Sequence, residues 1–396
     1  MKIDSVDFFY LSMPEVTTEA DGSQDALLVR VAAGGFVGYG ECEAAPLPSI
    51  AAFVCPMSHG ACQPVSASVL GHALDSPQDI TAIAADVAYN SMDVLQAAHT
   101  FSGIEMALWD ILGKARGEPV WKLLGYQASH PKMPYASLLF GDDAQQTLGR
   151  ARQAMRVGFK AVKFGWGPIG RGTPQQDADH FFAAREAIGA DGILLVDVGQ
   201  IFVDDLERAA LRLDALQAAR AVWLEEPFHA DALACYNALA LRCGSLKLAG
   251  GEGAHNAYMA RHLIDYGKIG FVQIDCGRVG GIGPAKQVAD YAVQRGITYV
   301  NHTFTSHLAL SASLQPFAGL AAHTLCEYPA DPKALAVEMT ANHLTRDANG
   351  AVQAPDAPGL GIDIDTQAMQ RYQVNVDIRI NGKTFYTSPM LHGLVA

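Results

Sequence analysis

Lys163, Asp197, Glu225, Glu252, Asp275, His302 and Glu327 are seven ionisable residues spaced 23 to 34 residues apart, each at the end of a short apolar run. None neighbours another in sequence, so they act together only if the fold brings the ends of those runs to one place. Asp197, Glu225 and Glu252 come from consecutive runs, and three carboxylates pressed together repel one another unless a cation sits between them. All-oxygen ligation without histidine or cysteine favours Mg2+ over zinc and leaves coordination positions for water or substrate. One such carboxylate alone reads as readily as a salt bridge or a helix cap; recurrence on consecutive units favours the metal. Asp275 and His302 make a second set. An aspartate bonded to one imidazole nitrogen fixes the tautomer and raises the basicity of the other nitrogen, which makes a general base. His255, His307 and His323 have no comparable partner on a neighbouring run and read as structural or surface residues.

The spacing is that of one βα unit. From about residue 133, β-type runs alternate with longer helical segments, the pattern of a parallel sheet. The runs are Tyr135 to Phe140, Ala161 to Phe164, Ile193 to Asp197, Val222 to Glu226, Leu246 to Gly251, Phe271 to Asp275, Ile297 to His302 and Thr324 to Glu327. Eight such runs predict a closed α/β barrel of TIM type, (β/α)7β, whose active site lies at the carboxyl ends of its strands. Before it, an alternating run from Ile3 to Leu11 and a hairpin turning at Ala33-Gly34-Gly35 predict a small α+β unit. A helix follows, with Ser102 as N-cap and Gly117 with Pro119 at its end. The expected organisation is a capping domain over 1–130, the barrel over 131–355, and a segment 356–396 that returns to complete the cap.

With 396 residues, half of them apolar, the chain can bury a large core. The net charge of -13 argues against nucleic acid and anionic membranes as partners. Seven scattered cysteines without a C-x-x-C pair suit free thiols in a reducing compartment. Acidic residues come too early for a signal peptide, and no apolar stretch approaches the eighteen or so residues of a membrane span. The expectation is a cytoplasmic protein with a small-molecule partner. "GWGPIG", residues 165–170, completes the dinucleotide pattern G-x-G-x-x-G. That pattern needs its third glycine to open a helix. Pro168 and Pro174 disrupt the stretch, helical periodicity resumes only near Gln176, and Asp197 belongs to the metal set, which leaves an NAD-dependent oxidoreductase as a remote alternative.

Together these segments resemble the enolase superfamily, specifically its mandelate racemase subgroup. The resemblance covers nearly the whole chain: "MALWDILGKARGEPVWKLLG" before the barrel, then "AVKFG", "VDVGQ", "WLEEP", "GGE", "QIDCGRVGG", "NHTF" and "CEYP" on the second to eighth strands. No one motif is decisive, but their order and spacing are specific. The resemblance implies that Asp197, Glu225 and Glu252 bind Mg2+ and that Asp275 with His302 is the dyad defining the subgroup; a muconate-lactonizing enzyme would carry lysine where Asp275 stands. It further implies that Mg2+ holds a substrate carboxylate while a base removes the α-proton and the metal stabilises the enediolate. Glu327 matches an acidic residue that donates a hydrogen bond to that intermediate, a role requiring it to be protonated.

Two departures narrow the chemistry. Racemases of this type end the second strand with Lys-x-Lys, the second lysine being the base opposite the histidine; here the residues are Lys163-Phe164-Gly165. On the third strand the usual Asp-x-Asn is Asp197-Val198-Gly199. Without opposed bases a two-base proton transfer becomes hard, whereas abstraction by His302 followed by loss of a β-hydroxyl needs one acid/base. The expectation is therefore a lyase that dehydrates a sugar acid, aldonate or aldarate, to a 2-keto-3-deoxy acid, with Lys163 binding the carboxylate. The alternative makes Lys163 a second base and the enzyme an isomerase: a racemase, epimerase or cycloisomerase. Loops Pro14 to Gln24 and Leu47 to His59, with Glu15, Asp21, Ser49 and His59, are expected to close over the site, and the resemblance implies a homo-oligomer.

Overall fold

Alternating apolar residues form β1 (Ile3–Ser12), which pairs antiparallel with β2 (Asp25–Ala33). Gly34 and Gly35, both at positive φ, turn the chain into β3 (Phe36–Cys42), as the sequence predicts. The helix Ala97–Arg116 lies across this sheet so closely that a Cβ on Gly40 would stand 2.0 Å from Gly103 O. The helix begins six residues earlier than expected, with Gln96 at the N-cap position. Ser102 is therefore inside it, donating to Ala98 O (2.8 Å) and accepting from Gly280 N (2.9 Å). Burial of Ala97, Thr100 and Phe101 extends the helix past a residue that locally resembles a cap. The computed structural model describes residues 1–391.

Eight parallel strands follow: β4 (Met133–Leu139), β5 (Ala161–Gly165), β6 (Ile193–Asp197), β7 (Ala221–Glu225), β8 (Lys247–Gly250), β9 (Phe271–Asp275), β10 (Thr298–His302) and β11 (Leu325–Pro329). They run side by side in the order β10, β9, β8, β7, β6, β5, β4, β11, with helices in the connections, and so form the (β/α)7β barrel. Between β10 and β11 the described residues form no backbone ladder. Asn301 bridges the seam instead: its side chain accepts from Glu327 N (2.9 Å) and donates to Glu327 O (3.3 Å).

The barrel interior explains where the ionisable residues point. Tyr135, Ala161, Leu195, Trp223, Ala249, Val300 and Leu325 fill one inner layer. Side chains on a strand return to the same face every second residue. Two residues beyond this layer stand Ser137, Lys163, Asp197, Glu225, His302 and Glu327, so the polar set is the next inward layer at the carboxyl end. After β11 the chain turns back along the cap. Leu360 N donates to Asp110 Oδ1 (2.9 Å) and Val374 N to Tyr10 O (2.8 Å), before a hairpin of β12 (Asp377–Ile380) and β13 (Lys383–Thr387). Residues 392–396 of the expected C-terminal segment lie outside the described residues.

Candidate active site

Asp197 and Glu225 close β6 and β7, whereas Glu252 lies two residues beyond β8, carried inward by Gly251 at φ 124°. An oxygen of each lies within 4.8 Å of the others. Asp197 Oδ1 accepts from Gly199 N (2.8 Å) and Glu225 Oε2 from Trp223 Nε1 (2.9 Å), which fixes both carboxylates. The donors are hard, converging oxygens, those of Asp197 and Glu225 buried and that of Glu252 half-buried; burial holds the carboxyls of Asp197 and Glu225 above their usual range, whereas against burial His302 and Arg278 hold that of Glu252 below it. That set fits a divalent cation such as Mg2+, whose charge would relieve the repulsion that burial intensifies.

Lys163 lies among these groups rather than reaching to solvent. Its Nζ stands 2.8 Å from Glu225 Oε1, 2.8 Å from Glu327 Oε1 and 3.8 Å from Asp197 Oδ2. Burial works against its charge, but Glu225 and Glu327 outweigh it and hold the ammonium well above the usual lysine range. Glu327 also accepts from Ser137 Oγ (2.8 Å) and Thr303 N (2.8 Å). Lys163 Nζ, Ser137 Oγ and Thr303 N thus converge on the Glu327 carboxyl group.

His302 Nδ1 lies 2.6 Å from Asp275 Oδ2, and Asp275 Oδ1 accepts from Gly277 N (2.6 Å). His302 Nε2 points into the site, 3.2 Å from Glu252 Oε2 and 3.9 Å from Glu327 Oε2. In the absence of a cation, and against burial, Glu252, Glu327 and Asp275 raise this imidazole to about 10; a cation held by Asp197, Glu225 and Glu252 would offset the Glu252 charge and bring the imidazole down towards the neutral base that proton abstraction needs. The other histidines lie elsewhere: His255 meets His99 (3.1 Å), His307 stacks on His343, and His323 accepts from Tyr299 N (2.8 Å).

Lys163, Asp197, Glu252 and His302 face a cavity of about 310 Å3 roofed by Glu19, Asp21, Glu43 and Ala44 of the cap. Of the polar cap residues expected here, Asp21 lines the cavity. Ser49 is buried, accepting through its carbonyl from Thr100 Oγ1 (3.0 Å), His59 pairs with Asp93 (3.2 Å), and Glu15 is exposed away from it. The stretch read as the second loop is partly the helix Pro46–Val54. Sequence reasoning missed Glu43 and Arg278. Arg278 donates to Glu252 Oε1 (3.3 Å) and Glu43 Oε1 (3.4 Å), joining the cap to the carboxylate cluster. Its signal was present in "QIDCGRVGG", where the arginine follows the dyad aspartate by three residues.

The glycine stretch is accounted for by the same site. A Cβ on Gly165 would lie 3.0 Å from Asp197 Oδ2, so any larger residue crowds the carboxylate cluster. Trp166, at φ 59°, turns its ring over Gly199, where a Cβ would be 2.7 Å from the indole. The indole thus occupies the room a side chain at 199 would need. No helix N-terminus awaits a phosphate here: the next helix starts at Pro174 under a Thr173 cap, and Gly170 N donates to the carboxylate of Asp177 (3.1 Å). The dinucleotide expectation therefore has no support in the geometry.

Comparison with known proteins agrees with this architecture. The family described as mandelate racemase / muconate lactonizing enzyme, N-terminal domain, matches residues 12–125, and that described as enolase C-terminal domain-like matches residues 146–368. A Rhodobacter sphaeroides protein whose crystal structure is described as a predicted mandelate racemase is 67% identical, with a TM-score of 0.94 over 98% of this chain and 99% of that one. The D-galactarolactone cycloisomerase of Agrobacterium fabrum is 27% identical over 86% of this chain and 89% of its own. The arabinonate dehydratase of Saccharolobus solfataricus is 25% identical over 69% and 71%, respectively.

Proposed function

The chain belongs to the mandelate racemase / muconate lactonizing enzyme family of the enolase superfamily, and from that premise we propose that it removes the α-proton of a sugar acid, an aldonate or aldarate, and expels the β-hydroxyl to give a 2-keto-3-deoxy acid. Asp197, Glu225 and Glu252 are the residues that would hold Mg2+. When bound, the ion supplies positive charge to a substrate carboxylate and to the negative charge that develops as the α-proton leaves.

His302 Nε2 takes the α-proton. Asp275 keeps the ring oriented through Nδ1 and stabilises the imidazolium that results. The imidazolium then gives that proton to the departing hydroxyl on the same face, water leaves, and the enol tautomerises to the ketone. In this mechanism Lys163 offsets developing charge on the substrate carboxylate, and Glu327 holds Lys163 in place instead of donating to the intermediate.

The observation that carries dehydration over racemisation is the one-sided placement of acid/base groups. Gly165 stands against Asp197 where a racemase would carry its second lysine, and Lys163 Nζ is committed to two carboxylates at 2.8 Å. The similarity to a D-galactarolactone cycloisomerase favours one second reading: in a lactone the ring oxygen leaves in place of a hydroxyl after the same first step. A screen of aldonates, aldarates and their lactones with Mg2+ tests both. Dehydration gives a 2-keto acid lighter than the substrate by one water, cycloisomerisation a product of unchanged mass, and no turnover of any of them contradicts the proposal. No described helix is long and apolar enough to cross a membrane, and the proposal includes a homo-oligomeric state, read by light scattering.

A further inference from the structure

Three buried oxygens behind the Asp275 and His302 pair have no hydrogen-bond partner among the described residues: Glu41 Oε1, Thr303 Oγ1 and Thr305 Oγ1. Glu41 stands at the end of β3 in the cap, while both threonines lie in the loop that leaves His302. The three residues are 1%, 2% and 6% exposed, and all three line one cavity of about 10 Å3 that Asp275 and His302 also border. A space of that size is about what the centre of a single water requires.

The neighbouring groups are already satisfied. Glu41 Oε2 accepts from Ser306 Oγ, and Ser306 Oγ caps the helix His307–Leu314 by accepting from Leu308 N (3.1 Å) and Ala309 N (3.3 Å). Thr303 N donates to Glu327 Oε2 (2.8 Å). The Thr305 hydroxyl lies near enough to Glu41 to lower its carboxyl against burial as a hydrogen bond would, but its geometry leaves Thr305 Oγ1 and Glu41 Oε1 without a closed contact, so a direct pair between them is the alternative to a mediator. What remains is one acceptor and two hydroxyls, and buried polar groups of this kind are nearly always paired.

One mediator completes all of them. A carboxylate oxygen can only accept, each hydroxyl can give its proton, and a water can donate once while accepting twice. A hard divalent cation would need six or more oxygen ligands; of the other carboxylates bordering the cavity, Asp275 is held by His302 Nδ1 and Gly277 N and Glu43 by Arg278, which leaves Glu41 Oε1 and the two hydroxyls. We propose that Glu41, Thr303 and Thr305 bind one structural water, which ties the cap to the loop leaving His302. Because the acceptor comes from the cap and the hydroxyls from the barrel, this site exists only where the two are docked.

A crystal structure of the intact protein, at a resolution that shows ordered water, decides the point without any variant. The expected result is one peak within about 2.5–3.0 Å of all three oxygens. Thr305→Ser should keep the peak and the melting temperature; Thr305→Val, which replaces the hydroxyl by a methyl, should lose the peak and melt lower. The proposal is overturned if the wild-type protein shows no peak, if the three oxygens pair directly with one another, if the peak has the short contacts of a metal ion, or if Thr305→Val retains it. Should Thr305→Val fail to fold, the wild-type and Thr305→Ser structures still decide.

Discussion

Replacing Lys163 by methionine removes the one ammonium held between Glu225 and Glu327. Its Nζ makes two contacts of 2.8 Å, and the side chains are 4%, 0% and 0% exposed, so the carboxylates it leaves behind cannot recover solvent. Breaking a buried ion pair by removing one partner costs about 3–5 kcal/mol. At ~2.1 cal/mol/K of unfolding entropy per residue, 396 residues give ~0.8 kcal/mol/K, so Lys163→Met should melt about 4–6 °C below the wild-type protein in EDTA. Mg2+ held by Asp197, Glu225 and Glu252 would offset the charge on Glu225 but not that on Glu327, so roughly half of that deficit should remain. Thermal melting followed by circular dichroism, with EDTA and with Mg2+, reads both values. A Lys163→Met protein that melts with the wild type in EDTA, or whose deficit is the same in both buffers, refutes the view that Lys163 and a cation balance one set of carboxylates.

Gly165→Ala places a methyl about 3.0 Å from Asp197 Oδ2; the carboxylate must shift, and Mg2+ affinity measured by calorimetry should fall about 10- to 100-fold. Trp166 lines the cavity and is 42% exposed, so Trp166→Ala should raise KM about tenfold, roughly the 1.4 kcal/mol of a lost aromatic contact, with kcat little changed; an unchanged KM removes the indole from the substrate's path. Burial, then His255, lowers His99 from 6.5 to about 4. The unfolded chain then binds the extra proton first, so this contribution to stability is complete above pH 6.5 and is lost as pH falls from 6.5 to 4. On the order of 3 kcal/mol is at stake, and His99→Gln should show a shallower fall in melting temperature between pH 7 and 5 than the wild type.

The barrel and its polar layer were legible because two periods coincide. One βα unit sets the spacing between Asp197, Glu225, Asp275 and His302, and the strand period of two carries the interior layer on to these residues. Glu252 was placed within one unit of its neighbours, although it lies past the end of β8. The cap was less legible. Its loops have no period, so nothing in Leu47 to His59 distinguishes a helix from a lid, and Ser102 satisfies a local cap pattern that tertiary burial overrides. Glu43 and Arg278 pair across 235 residues, a contact that neither residue's local sequence announces. Gly165 and Gly199 could be read as departures from a pattern, but only coordinates show that Asp197 and the Trp166 ring fill the space beside them.

Exchange of the α-proton in D2O tests the account most directly. A substrate found in the sugar-acid screen is incubated with Mg2+ and either the wild-type protein or His302→Asn, and deuterium at the α-carbon and in the product is followed by NMR. His302 as sole acid/base predicts that exchange and turnover fall together, by about 10²- to 10⁴-fold. A His302→Asn protein that still exchanges the α-proton at the wild-type rate contradicts it, and would return Lys163 to the role of base.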